Sequence, residues 1–556
     1  MTTFVLKFGG SVLTSEANLH RAVAEIYRYV RDANKIICVV SAFKGETDRL
    51  LRLAGSYTQA SSSSATPHLV ATGETRAATL LAMACERSGI VTRYRSPSEI
   101  GLLAEGDHFN ASPKALNSDV LARDLTEVDC VVVPGYVAEN AAGDTVLLGR
   151  GGSDLTAVFI AHALGVPVRL IKDIDGIYDA DPATVGDSAR PYDALNWDEA
   201  QKVAFPVVNA KAMRYGADHD MTVAVSALAK GYQTELGEKT AWRKLKSLNR
   251  KIRIAVMGAG GVGAKFLERC LEWSDLIEVD RILVRDPSKR RDHPLASKFT
   301  SDARGFVRGD VDVFVDIGTG VSPSAEFLEG FLKAGVSVTS ANKQAVAAVG
   351  DKLRAAAKAS GARLTYSASV GGGAPVIEAL TRAVKAHKIK AFSGVLNGTS
   401  NFVIDQVGSG KSFDAAMDEA RRLGFAEPDS TADLDGTDVG AKLKLLREIA
   451  FPGLTPQHIE VGAISEDSLV IPEGKGLRYV ARCYATETGI DASMKLEVLD
   501  ASHYLVGARG EQNRAIIELE GGETWYVTGK GAGAWPTSEA LLADVLQIAR
   551  EHPLKP

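Results

Sequence analysis

The sequence predicts an α/β protein made of parallel-sheet units in series, and three observations carry that reading. Short β-branched runs alternate with amphipathic stretches over residues 4–228, the layout of a parallel sheet whose crossovers are helices. A second alternation starts at Lys251, and after residue 376 the period changes to longer strands and helices, the mark of an attached α+β domain. Two glycine-rich strings, Lys7-Phe8-Gly9-Gly10-Ser11 and Gly258-Ala259-Gly260-Gly261-Val262-Gly263, each follow directly on an apolar strand. At 556 residues the chain exceeds one compact core.

In the first segment Phe4-Val5-Leu6, Ile36–Val40, Val128–Val133, Val168–Ile171 and Thr222–Val225 read as strands. Ser61–Ser64 with Ala65-Thr66-Pro67 reads as a surface loop. The stretch Gly231–Lys251, with Lys239, Arg243, Lys244, Lys246, Arg250 and Lys251, reads as a solvated linker and short helix, giving a first domain over 1–235 and a linker over 236–250. The strand Ile252–Met257 runs into a helix over Ala264–Trp273, and Ile282–Val284, Val313–Ile317, Val336–Thr339 and Leu364–Tyr366 supply further strands. This gives a dinucleotide-binding domain over 251–375, with 526–556 returning to it. An α+β substrate domain over 376–525, to which the family resemblance given below adds dimerisation, holds the runs Ile389–Leu396 and Ala515–Glu520.

Composition narrows the function. A net charge of −5 over this length gives no long-range field for nucleic acid, so small anionic substrates must be held by local cations. The five cysteines form no CxxC pair, which speaks against a disulfide framework or a thiolate zinc site and for a reducing cytoplasm. The start of the chain enters a strand without a signal-like region, and no apolar stretch reaches the roughly 18 residues of a membrane span, so a cytoplasmic enzyme without a membrane partner is expected.

The two glycine strings differ in chemistry. In the first, a lysine and two glycines at a strand end let a flat backbone and a fixed cation approach phosphoryl oxygens, outside the GxxxxGK[ST] pattern. The second is a GxGxxG turn between strand and helix, the Rossmann arrangement, although a tight turn without ligand would also carry the string. Where the second strand ends, Arg285-Asp286-Pro287-Ser288-Lys289-Arg290 offers cations and a serine to a ribose 2′-phosphate, favouring NADP(H); Asp286 keeps NAD open.

Four clusters of the first half resemble the aspartokinases of the amino-acid kinase family: Lys7-Phe8-Gly9-Gly10, Val40-Ser41-Ala42 continuing to Thr47-Asp48, Thr72-Gly73-Glu74, and Gly149-Arg150-Gly151-Gly152-Ser153-Asp154. Lys172-Asp173-Ile174-Asp175-Gly176-Ile177-Tyr178, ending in Asp181-Pro182, is similar to that family's nucleotide-base segment. The resemblance implies an amino-acid-kinase-type parallel α/β sandwich in which the aspartate side-chain carboxylate attacks the γ-phosphorus of ATP, with bridging Mg²⁺. It assigns Lys7, Gly9 and Gly10 to the phosphoryl group, with Asp154 and Ser41 beside the transfer point. It gives Arg150 to the α-carboxylate, Glu74 to the α-ammonium, Thr47 to orientation, and Lys172, Asp173 and Tyr178 to the nucleotide. The chain departs from the pattern at KFGGSVL, at Ala183 where a basic residue is usual, and at Val207-Val208-Asn209-Ala210-Lys211 in place of a Lys-Val-Leu-His-Pro string. Either ATP affinity is reduced or Lys172 and Lys211 compensate.

From 251 onward the chain resembles homoserine dehydrogenase through Ser340-Ala341-Asn342-Lys343, Val370-Gly371-Gly372-Gly373-Ala374-Pro375, Leu396–Phe402, Gly424–Asp429, Asp433–Lys442 and Gly529–Gly533. The resemblance implies reduction of aspartate semialdehyde to homoserine, with Lys442 as proton donor, Lys343 as a second cation, and Glu427 and Asp433 gripping the amino group. Asp438 lies four residues before Lys442, so the two share a helix face. Asn397 and Thr399 fall to the substrate, and Gly258, Gly260, Gly261, Val262, Gly263, Arg285, Lys289, Ser340, Lys343 and Gly533 to the cofactor. The carbonyls of Val370, Gly372 and Ala374 correspond to a monovalent-cation loop whose glutamate is here Ser367.

Together the two resemblances imply a bifunctional enzyme and a homodimer or homotetramer. A dehydrogenase with an inactive kinase-like scaffold, and a kinase for another amino acid such as glutamate, stay open. Between 228 and 251 there is no room for paired ACT domains, so feedback by threonine or lysine through them is not expected; saturable inhibition by either would contradict this.

Overall fold

The computed structural model describes residues 2–57, 63–204, 206–244, 250–290, 292–423, 426 and 429–551. The chain divides into two compact units, Met1–Asn249 and Arg250–Pro556.

The first unit is built on a nine-stranded sheet in the order 241–242, 192–196, 233–237, 223–227, 168–172, 3–8, 35–40, 130–134 and 92–94. Val168–Lys172, Thr3–Phe8, Lys35–Val40 and Cys130–Pro134 run parallel, as their β-branched runs predict. Val5, Ile37, Val39, Val131 and Val133, alternate residues on their strands, pack with Leu121, Leu155 and Val158 of the helices Ser118–Glu127 and Gly152–Leu164. Period two puts Lys7 on the face of Val5, towards the helix that begins at Gly152. The helices Leu19–Arg31 and Ala65–Arg87 contact the same strands.

Two expectations are corrected here. Residues 65–67 open the helix Ala65–Arg87 instead of a loop, Pro67 being tolerated in a first helical turn; Ser61 and Ser62 lie outside the described residues. The expected linker over 236–250 includes sheet: Gln233–Gly237 and Ala241–Trp242 are strands, because Trp242 pairs with Tyr192 and stacks on its ring at 4.1 Å. Of the cations assigned there to solvent, Arg243 is only 4% exposed and Arg250 pairs with Asp312 at 2.7 Å, while Lys246 lies outside the described residues.

In the second unit, six parallel strands take the order 299–300, 277–283, 252–257, 313–316, 337–340, 364–365. Numbered along the chain this is 3-2-1-4-5-6, the doubly wound order whose carboxyl edge holds ligands at the point of reversal. The helix Ala534–Glu551 packs on the helix Gly261–Glu272, where Arg269 Nη2 meets Glu539 Oε2 at 2.9 Å with both side chains at 0% exposure. A second, mixed sheet runs 459–461, 490–500, 475–485, 389–395, 512–519, 524–530 and carries the helices Val376–Ala386, Gly398–Gly408 and Thr437–Ala450. Thr524–Lys530 pairs with Gln512–Leu519, so the chain rejoins the dinucleotide domain only with the helix from Ala534, later than the expected residue 526. All five cysteines are buried and in no disulfide, and no described helix is long and apolar enough to cross a membrane.

Candidate functional site

In the first unit the chemistry gathers at the carboxyl ends of Thr3–Phe8 and Val168–Lys172. Lys7 Nζ lies 2.7 Å from Asp154 Oδ1, and Lys172 Nζ lies 3.0 and 2.9 Å from Asp154 Oδ1 and Oδ2. All three side chains are under 10% exposed. Burial alone would raise the Asp154 carboxyl, but the charge of Lys7 and then that of Lys172 outweigh it and hold it at about 2. Lys172 moves the other way: burial, then repulsion by Lys7, bring it down to about 8 against the pull of Asp154. Both directions describe one fact, that a single carboxylate serves two ammonium groups, so the cluster carries an excess positive charge that an anion would offset. Gly9 leaves the space for this: a Cβ there would stand 2.6 Å from Lys7 Nζ.

The residues expected on the substrate side come from several elements of the same unit. Ser41 N donates to Phe8 O at 3.1 Å, which fixes its half-buried hydroxyl beside the Gly9 turn. Glu74, 2% exposed on the helix Ala65–Arg87, accepts the Ala42 amide at 2.7 Å. Burial pushes its carboxyl up to about 8, opposed by that amide and by the charge of Lys7. Thr47 lies half-buried in the first turn of Glu46–Tyr57, and Arg150 is exposed in the turn before Gly152–Leu164. Asn209, which the sequence did not single out, ties this turn together: its amide N donates to Asp154 Oδ2 at 3.2 Å and its Nδ2 to Arg150 O at 2.6 Å. Its only signal is an Asn placed to cap the helix Ala210–Asp218.

On the nucleotide side, Asp173 is exposed and Tyr178 half-buried, its hydroxyl donating to Asp175 Oδ1 at 2.5 Å. Lys211 does not stand in for the missing cations: Nζ donates to the carbonyls of Asn110, Ala111 and Leu148 at 3.2–3.3 Å. A cavity of about 550 Å³ lined by Phe4, His162, Arg169 and His219 opens at the amino ends of the strands, away from these groups. The expected site residues gather at the carboxyl edge, where parallel sheets hold their ligands. Among the described residues no group of three or more His, Cys, Asp or Glu side chains could hold a metal ion.

In the second unit the glycine turn is shaped for a pyrophosphate. Gly258 has φ +99°, and a Cβ would stand 2.6 Å from Ile317 O; a Cβ on Gly263 would stand 2.4 Å from Gly258 O. In front of Gly260 and Gly261 a Cβ would meet nothing within 4 Å, which leaves open space at the amino end of the helix Gly261–Glu272. Val262 lies in that first turn. Arg285 and Lys289 are exposed after the second strand, and Arg290 donates to Ala259 O across the turn. Ser340 has no open face: at 0% exposure it donates to Asp316 Oδ2 at 2.9 Å. Asp316, unremarked in the sequence, also accepts Gly318 N and Ser324 Oγ, and burial raises its carboxyl. Ser340 Oγ accepts Asn342 N, and Asn342 caps the helix that begins at Lys343, so this buried cluster fixes where Lys343 starts. Gly533, at φ +108°, precedes the helix Ala534–Glu551.

Lys343 reaches Asp438 Oδ1, and Lys442 Nζ lies 2.8 Å from Asp438 Oδ2 and donates to Leu396 O at 2.6 Å. Two of the three Lys442 protons are thereby placed, leaving one for a ligand. Burial would raise Asp438, but Lys442 and then Lys343 hold it well below the usual carboxylate range. Asn397 Nδ2 donates to Asp433 Oδ1 at 2.7 Å and Asp438 Oδ2 at 3.0 Å, while its Oδ1 accepts Ser400 N, capping the helix that contains buried Thr399. Glu427 lies outside the described residues. The loop of Val370, Gly372 and Ala374 leans on the strand end, Gly373 N donating to Lys530 O at 2.8 Å, and Ala374 O accepts Val376 N at 2.8 Å. Ser367 Oγ donates to Asp544 Oδ1 at 3.3 Å.

Residues 2–234 match the model of the amino acid kinase family, 258–367 that of the homoserine dehydrogenase NAD binding domain, and 375–546 that of homoserine dehydrogenase. The homoserine dehydrogenase of Corynebacterium glutamicum is 34% identical over 320 residues, covering 54% of this chain and 72% of that one. That of Lactococcus lactis is 30% identical over 323 residues, covering 54% and 75%. The crystal structure of a homoserine dehydrogenase from Thiobacillus denitrificans, 30% identical, superposes with a TM-score of 0.51 over 54% of this chain and 74% of that one.

Proposed function

We propose, because this chain belongs to the homoserine dehydrogenase family and carries an amino acid kinase family domain at its N-terminus, a bifunctional enzyme that phosphorylates L-aspartate with ATP and reduces aspartate 4-semialdehyde to L-homoserine. The observation that carries it is the pairing of two lysines on one buried carboxylate in each unit, together with a glycine turn suited to phosphates in the same unit.

In the kinase unit a β-carboxylate oxygen of aspartate attacks the γ-phosphorus, and Lys7 with Lys172 neutralises the charge on the moving phosphoryl group. Asp154 holds both ammonium groups in place. Glu74 receives the α-ammonium and Arg150 the α-carboxylate, with Thr47 and Ser41 on the substrate side and Gly9 and Gly10 beneath the phosphates. In the dehydrogenase unit the nicotinamide supplies the hydride when bound. Lys442 gives its third proton to the carbonyl oxygen as it becomes an alkoxide, Asp438 orients that ammonium, and Lys343 adds a cation from the other side. Asp433, held by Asn397, and Glu427 receive the substrate amino group.

Arg285 and Lys289, exposed where a ribose 2′-phosphate would arrive, make NADP(H) the preferred cofactor. The Val370, Gly372 and Ala374 loop is where a monovalent cation would act, with Ser367 and Asp544 in place of a glutamate ligand. Cytoplasmic location and a homodimer or homotetramer are part of this reading. The decisive experiment is aspartyl hydroxamate formation with ATP, Mg²⁺, aspartate and hydroxylamine, lost in Lys7→Ala while homoserine oxidation with NADP⁺ persists. No hydroxamate from a protein that oxidises homoserine selects the second reading, a dehydrogenase with a non-catalytic kinase-like unit, which the diversion of Lys211 to three carbonyls favours.

A further inference from the structure

The geometry points to Arg243 as a positioning residue of the kinase nucleotide site, contributed by the strand that leads out of the first unit; this rests on the reading of Lys172–Tyr178 as the nucleotide segment. Arg243 follows the strand Ala241–Trp242 and its side chain is 4% exposed. Its Nη2 donates to Asp175 O at 2.9 Å and to Gln233 O at 3.4 Å, and its Nη1 faces Asp175 Oδ2 at 3.5 Å. Asp175 passes the contact on, since its other carboxylate oxygen accepts the Tyr178 hydroxyl at 2.5 Å. Arg243 therefore reaches Tyr178 through one shared carboxylate.

The turn it grips is built for that grip. Gly176 has φ +144°, and a Cβ there would stand 2.7 Å from Arg243 Nη2 and 2.6 Å from Thr234 Oγ1, so turn and clamp fit only because that position has no side chain. Thr234 completes the clamp from the strand Gln233–Gly237: Oγ1 accepts Ile177 N at 2.8 Å and donates to Tyr192 O at 2.7 Å. The backbone of Arg243 is fixed too, its amide donating to Pro191 O at 3.0 Å beneath the Trp242–Tyr192 stack. Asp173–Tyr178 lies in no strand or helix, so its shape comes from these outside partners. A segment ordered in advance spares the nucleotide the entropy of ordering it, and the planar fork of arginine can grip a backbone carbonyl and a carboxylate together where a lysine cannot. The role falls on an arginine outside the family-like strings, in a chain that has Ala183 and Val207 where those strings usually carry cations.

The test compares Arg243→Met, Arg243→Lys, Asp175→Asn and the Arg243→Met/Asp175→Asn double variant in the full-length chain, using the hydroxamate assay. Expected for Arg243→Met is a rise of about tenfold in KM for ATP, with kcat and KM for aspartate within about twofold. Arg243→Lys recovers part of the loss, and the double variant is no worse than the poorer single one. A KM for ATP within about twofold of wild type overturns the inference, as does a parallel loss in kcat and both KM values with a lowered melting temperature, which marks a purely structural role. If the wild type forms no hydroxamate, calorimetric titration with ATP decides separately: about tenfold weaker binding by Arg243→Met sustains the inference while the kinase reading falls. Equal binding by the two proteins, or no binding by the wild type, overturns it.

Discussion

The two units solve one electrostatic problem with different supports. Around Asp154 the lysines come from two neighbouring parallel strands, and everything is nearly sealed from water. Around Asp438 one lysine sits on the same helix four residues on, while the other, Lys343, reaches in with 34% of its side chain exposed. On the proposed reading the kinase centre is thus a cationic seat for a phosphoryl group whose charge is spread over several oxygens. On the same reading the dehydrogenase centre is a single aimed proton, that of Lys442, with Lys343 as a more exposed second cation. Both lysines of the first cluster stand on strands, while in the second one stands on the same helix as its carboxylate.

The contrast is sharpened first at its strongest point. Lys442→Ala is expected to lower kcat for homoserine oxidation by roughly 10²–10⁴-fold with KM for NADP⁺ little changed, whereas Lys343→Ala costs less; equal losses would dissolve the distinction between the aimed and the more exposed lysine. In the kinase unit Lys7→Met and Lys172→Met should each lower kcat for hydroxamate formation by roughly 10²–10³-fold, because neither lysine is secondary there. Next comes Asp154→Asn, which leaves two buried ammonium groups facing each other and should destabilise its unit more than Asp438→Asn destabilises the other, as read by denaturant melts. Both carboxyls are depressed in the folded state, so each contributes stability that is present above its ordinary pKa of about 4 and is lost as pH falls towards the folded value, about 2 for Asp154. Each substitution should therefore flatten the acid limb of its unit's stability profile.

A smaller effect concerns Glu74, whose carboxyl is raised to about 8. Only its ionised form attracts the α-ammonium of aspartate, so KM for aspartate should fall as pH rises from about 7 to 9, and Glu74→Gln should abolish that slope. A KM that is flat over this range in the wild type would remove Glu74 from the substrate site. The smallest change expected is from Asp316→Asn, a positioning residue: a loss of a few fold in kcat, with the Lys343→Ala double variant no worse than Lys343→Ala alone.

Sequence reading found both glycine turns, the parallel strands and the Asp438–Lys442 pair, since each is written in local spacing and local spacing survives folding intact. It missed what depends on distant chain meeting locally ordinary residues. Asp316 is one aspartate at a strand end until Ser324 and Ser340 close on it, and Asn209 is a plain helix cap until Asp154 lies beside it. Lys211 stood open in the sequence as one of two cations that would compensate on the nucleotide side, because the sequence shows its charge but not the three carbonyls that take it up. Arg243 stood in a run of basic residues whose composition matches a solvated linker, and only the pairing of Trp242 with Tyr192 brings it indoors.

The buried Arg269–Glu539 contact sets an order on synthesis as well as on structure. The kinase unit is complete in sequence by Asn249 and can close while the rest is still being translated. The dinucleotide domain begins with the strand Ile252–Met257 but receives its last helix from Ala534–Glu551, so the helix behind its glycine turn waits through the whole intervening substrate domain for its partner. A ribosome making this chain releases a finished kinase unit early and a finished cofactor domain only once the helix Ala534–Glu551 has been made.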